Sequence, residues 1–133
     1  MKRWACVAGL LALAATASVL AADLDIKMIM KKAHSPTGLL YNIGKDLKDD
    51  EPDWDNIQQE TKELADLAAM LEKNKPPLGD KDSWTKLTAS YLDMAKALDA
   101  AAKKKDLSGA KSVQARMAND NTCKSCHKVH RKD

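Results

Sequence analysis

The 133-residue chain has no phenylalanine, and β-branched residues are sparse beyond its first two dozen positions. Strands draw on aromatic and β-branched side chains, so the composition provides few materials for a sheet. Alanine, leucine, lysine and aspartate dominate instead, which suits helices. Cysteine is scarce too, with only Cys6, Cys123 and Cys126 present. One close pair plus a remote thiol is not the framework of a disulfide-stapled domain. No apolar run reaches the ~20 residues that a membrane-spanning helix needs. The nearest is Val7 to Leu20, and it follows Lys2 and Arg3.

That opening segment has the order of a secretory leader: a charged start, an apolar centre and small residues at its end. Cleavage is expected before Ala22 or Asp23, giving residues 1–22 as a signal peptide and 23–133 as the mature domain. An uncleaved anchor is the rival reading, disfavoured by the short apolar run. Cys6 precedes the apolar centre and is discarded with the leader, so both remaining thiols lie near the C-terminus. Losing Lys2 and Arg3 from the 22 basic residues leaves 20 against 19 acidic ones, a net charge of +1. Such a balance gives no argument for nucleic acid or for an anionic membrane surface as a partner, and no stable membrane insertion is expected after cleavage.

About 110 residues remain, enough for one small domain. Hydrophobic spacing predicts helices separated by short loops. The first runs from Asp23 to about Ala33, with Ile26, Met30 and Ala33 on one stripe and Leu24 and Met28 close by. His34-Ser35-Pro36-Thr37-Gly38 interrupts it, because Pro36 disfavours a helical Ser35. Asp53 is the expected N-cap of a second helix ending near Asn74, with Ile57, Leu64, Leu67, Ala68 and Leu71 at helical spacing. Asn74 to Asp80, with Pro76-Pro77 and Gly79, forms the central loop. Ser83 is taken as the cap of a third helix, whose Trp84, Leu87, Tyr91, Met94 and Leu98 step by three and four. Asp106 to Gly109 is read as a short turn before a last helix bearing Leu107, Ala110, Val113 and Met117. Amphipathic helices joined by short loops predict an all-α fold, an antiparallel four-helix bundle.

The last helix carries the sharpest signal. Cys123-Lys124-Ser125-Cys126-His127 spells C-x-x-C-H, the attachment signature of a c-type haem. On a helix Cys123, Cys126 and His127 stand at i, i+3 and i+4 and share one face. Two thiols at that spacing can form thioethers with the two vinyl groups of one porphyrin. The adjacent imidazole of His127 is then the proximal iron ligand. One covalently attached haem c is the expected cofactor, and the motif falls on the C-terminal helix.

In its order of parts the chain resembles the class II cytochromes c, the cytochrome c′ family, and would be a divergent bacterial member. Those proteins are exported four-helix bundles with the haem motif on the last helix. Here the motif continues Lys128-Val129-His130-Arg131, with His130 where the family commonly has an aromatic residue and Arg131 in its basic position. The first helix lacks the Arg-Gln pair that many members carry. The resemblance implies a periplasmic electron carrier with periplasmic redox partner proteins, and a homodimer through the early helices. Some class II members use a first-helix methionine as sixth ligand. Met30 is therefore placed first as distal iron ligand, His34 second, and an open distal position third. Met30 shares a stripe with Ile26 and His34. Met70, Met94 and Met117 are expected in the core or the pocket lining.

Two other functions compete. With an open distal site the same protein would bind nitric oxide or carbon monoxide. Cys123, Cys126, His127 and His130 could also hold zinc in a helical module, although one helical stripe closes poorly around a tetrahedral ion. A thiol–disulfide couple lacks its usual βαβ setting. His130 is expected at the surface or the haem edge. No acid–base pair or nucleophile constellation stands out, so an enzyme is not expected.

Overall fold

The computed structural model describes residues 24–119 and 121–132, which form helices and connecting turns without strands. The expected leader, residues 1–22, and the first mature residue, Asp23, lie outside the described residues. Among the described residues no helix is long and apolar enough to cross a membrane.

The helices are α1 (Ile26–His34), α2 (Leu39–Asp46), α3 (Trp54–Lys73), α4 (Lys81–Lys103), α5 (Leu107–Asn119) and α6 (Asn121–His130). Four helical segments pack together: the α1–α2 pair, α3, α4 and the α5–α6 pair. The most extensive contact is between α3 and α4, followed by α4 with α5. Helices α1 and α2 lie on α3, α2 also meets α5, and α6 packs on α4.

Aspartates open most of these helices. Asp25, Asp53 and Asp80 accept hydrogen bonds from the amides of Met28, Asn56 and Ser83 at 2.7, 3.2 and 2.7 Å. Each satisfies a backbone donor that the first helical turn leaves without an intrahelical acceptor. Two sequence expectations are corrected by this chemistry. Asp80, not Ser83, caps α4, because its carboxylate reaches the amide three residues on. The expected turn at Asp106 to Gly109 is already helical: Asp106 accepts from the Gly109 amide at 2.9 Å, and α5 starts at Leu107. The reversal lies just before it. Lys105 takes φ 53°, while Lys105 N and Asp106 N donate back to Ala102 O and Ala101 O, closing α4.

The break after α1 falls where Pro36 requires it, with Ser35 extended at ψ 165°. The stripe buried by α1 is rotated from expectation. Ile29 and Ala33 are fully buried, Met30 is half-buried and Met28 is exposed. In α3 the expected residues Ile57, Leu64, Leu67, Ala68 and Leu71 are all buried, in one core cluster with Tyr91, Met94 and Leu98 of α4. Met94 and Met117 are also buried, and Met70 packs at the core's margin. One polar bridge crosses the core, where Thr61 Oγ1 donates to Asp99 Oδ1 at 3.2 Å and Lys103 Nζ donates to Asp99 Oδ2 at 2.6 Å.

Candidate functional site

Helix α6 carries Cys123, Cys126 and His127 at the predicted spacing, with both thiols half-buried and His127 exposed. The helix is held at its far end by His130, which is only 2% exposed. His130 Nδ1 lies 2.6 Å from the carbonyl oxygen of Leu78 and Nε2 lies 3.0 Å from Ser83 Oγ. A carbonyl can only accept, so Nδ1 donates, and in the neutral ring Nε2 accepts from the Ser83 hydroxyl. The imidazole also meets Trp84 edge-on, with ring centroids 5.4 Å apart. Trp84 in turn donates its indole N–H to Asn74 O at 2.8 Å, tying the 74–80 loop to the start of α4.

The expectation of a surface position for His130 is thus corrected, whereas the alternative of a haem-edge position is not, since His130 also belongs to the lining of the cavity that α6 faces. It is the buried anchor that joins α6 to the loop and to α4. The sequence could not reveal this, because Leu78 and Ser83 meet it only through folding. His130 also spends both ring nitrogens on these partners, which removes the fourth donor from a zinc site built on Cys123, Cys126 and His127. Among the described residues no group of three or more His, Cys, Asp or Glu is gathered around one point.

Facing α6 across a half-enclosed cavity of about 1130 Å³ is α1. Ile26, Met30 and His34, each four residues after the last, line one wall. Cys123, Cys126 and His127 line the cavity too, together with Leu71, Leu87, Tyr91 and Met117. Met28 points elsewhere and is 44% exposed. Pockets for small organic ligands commonly enclose ~300–1,000 Å³, so this cavity is large for so short a chain. Close-packed interiors otherwise leave few voids bigger than a water molecule. Among the described residues the lining includes no carboxylate, whereas four exposed cations, Lys27, Lys31, Arg131 and Lys132, belong to it.

His34 is joined to the buried Tyr91, with Nε2 and the phenol oxygen 2.9 Å apart and ring centroids 5.5 Å apart. Burial, and then the charge of His127, lower the pKa of His34. This favours a neutral imidazole, and the influence of His127 reflects how the fold brings the two histidines toward one another. Burial, followed by Cys123, raises the pKa of Tyr91 well above the ordinary phenol value and keeps it protonated. The same two causes in the same order raise the Cys126 thiol. Cys123 Sγ lies 3.6 Å from Met117 O, within reach of a weak S–H···O contact.

The fold therefore gathers Met30, His34, Cys123, Cys126 and His127 around one space, although about 90 positions of sequence separate the two groups. Sequence reasoning missed Tyr91 as a site residue, reading it only as a member of the α4 seam. No known protein family, curated protein or solved structure matches the chain.

The donor set and the cavity fit a covalently held porphyrin. Cys123, Cys126 and His127, the residues that would hold such a group, share one helical face, apolar side chains are prominent in the cavity lining, and exposed cations among the lining residues would suit a porphyrin's propionates.

Proposed function

We propose that the protein is a periplasmic mono-haem c-type cytochrome that carries electrons, an antiparallel four-helix bundle resembling the class II cytochromes c. One observation carries this reading: the C-x-x-C-H face of α6 and the Met30–His34 face of α1 line the same cavity. Cys123 and Cys126 would hold haem c as thioether anchors, with His127 as the proximal ligand and Met30 ahead of His34 on the distal side. The bound group supplies an iron that alternates between ferric and ferrous states. The chain's own contribution is to exclude water with Leu71, Leu87, Tyr91 and Met117, and to hold α6 in place through His130. Export through residues 1–22 puts this chemistry in the periplasm, where the partners are other redox proteins, and a homodimer is consistent with the class.

The second reading, a five-coordinate protein that binds nitric oxide or carbon monoxide, is favoured by the size of the cavity and its apolar lining. Absorption spectroscopy of protein exported together with haem-maturation machinery decides between them. Low-spin bands unaffected by carbon monoxide support the carrier. A high-spin spectrum that shifts on adding carbon monoxide supports gas binding. A protein without a Soret band rejects both.

A further inference from the structure

We infer that Tyr91 is a positioning residue that selects the sixth iron ligand by holding His34 away from the metal. The inference rests on the haem reading above and concerns what this chain does to its own distal candidates. His34 ends α1, and Nε2, the outer ring nitrogen and a common site of metal ligation, is 2.9 Å from the Tyr91 hydroxyl. Tyr91 comes from α4, 57 residues later, and its ring is buried against the α3–α4 core. It is therefore a fixed partner that cannot follow His34 elsewhere.

If His34 turned to the iron, that hydrogen bond would break. The part-buried Tyr91 hydroxyl, on a residue only 6% exposed, would be left without its His34 partner, a cost that a bound group filling the cavity and displacing water would increase. Met30 sits one turn earlier on the same wall and faces no such cost, because a thioether is only a weak acceptor with no comparable bond to give up. The exchange involves no electron transfer. Where Tyr91 donates, the Nε2 lone pair passes from the phenol hydrogen to the metal, and both protons stay on their atoms. Where Nε2 carries the hydrogen, it must first move to Nδ1, a further obstacle to ligation by His34.

The test uses haem-loaded wild type, Tyr91→Phe, His34→Ala and the double variant, read by ferric absorption spectra and reduction potential. Phenylalanine keeps the ring and removes the hydroxyl, so His34 Nε2 loses its phenol partner and is released toward the iron. Tyr91→Phe is expected to gain a bis-imidazole spectrum, with the ratio of His34-ligated to other iron rising roughly two- to tenfold, the factor that one part-buried hydrogen bond implies. Its potential should fall, since imidazole replaces a thioether or an open position. Adding His34→Ala should abolish the new spectrum, whereas wild type and His34→Ala alone should both lack bis-imidazole bands.

A Tyr91→Phe spectrum identical to wild type overturns the inference. So does a bis-imidazole spectrum in wild type that His34→Ala removes, which requires no folded Tyr91→Phe protein. Wild type that carries no haem overturns the haem reading and this inference with it, whereas haem-bearing protein with an unresponsive Tyr91→Phe overturns ligand selection alone.

Discussion

His130 Nδ1 donates a 2.6 Å hydrogen bond to the carbonyl of Leu78, 52 residues earlier in the chain. The contact ties the helix that bears Cys123, Cys126 and His127 to the 74–80 loop, and Ser83 adds a second tie from α4. Replacing His130 with alanine removes both partners and leaves a cavity against Trp84. We expect a loss of about 2–3 kcal/mol of stability, measured by denaturant unfolding. A loss within a few tenths of a kcal/mol would mean that α6 is held by other contacts.

Gly79 should tolerate substitution poorly. It adopts φ 76°, and a Cβ at this position would lie 2.8 Å from His130 Nδ1 and 3.0 Å from Val129 Cγ1. The left-handed backbone and the contact with the anchor histidine act in the same direction. Gly79→Ala should cost about 1–3 kcal/mol, with a correspondingly lower melting temperature. Parity with wild type would show that the loop moves aside freely.

Serine at both Cys123 and Cys126 should abolish covalent haem attachment, read as loss of the haem increment in the intact mass and of colour in the denatured protein. Either single variant should keep one thioether. Haem that still resists extraction from the double variant would contradict the assignment of the thiols.

The two methionines of α1 allow a matched comparison. Met30 lines the cavity and Met28 is exposed. Met30→Leu should alter the ferric spectrum and lower the reduction potential, while Met28→Leu should leave both unchanged. Equal behaviour of the two variants would remove Met30 as ligand.

Glu60 gives a pH prediction away from the cavity. Burial, followed by Asp46, raises its pKa above the ordinary carboxylate value, an effect that a hydrogen bond from Asn42 only partly offsets. With the folded pKa above the unfolded one, the native state binds more protons. Its benefit is complete below the unfolded value and is lost as pH rises through the folded one. Glu60→Gln should therefore stabilise the protein at neutral pH, with the gain shrinking toward pH 4. Thermal melts of both proteins across that range check the sign, and a gain that grows on acidification would refute it.

Much of the local structure was legible before folding. Pro36 marked the end of α1 because it excludes a helical residue before it. The spacing from Ile57 to Leu71 marked the α3 face because a helix returns to the same side every three or four residues. Where local signals competed, the reading slipped. Ser83 and Asp80 are both good caps, and only backbone geometry shows which one reaches an amide. The buried stripe of α1 also shifted to Ile29, since the neighbouring helices decide which part of a broad apolar face turns inward.

The motif residues Cys123, Cys126 and His127 were fixed by the sequence itself, as their spacing on one helix puts them on one side whatever surrounds them. The opposing wall was not. Met30 and His34 come within reach of α6 only through helix packing, and the bond from His34 to Tyr91 spans 57 residues. The same holds for the burial of His130. Short-range spacing is written in the order of residues, whereas the pairing of distant polar groups depends on which helices share a boundary, and only the tertiary structure decides that.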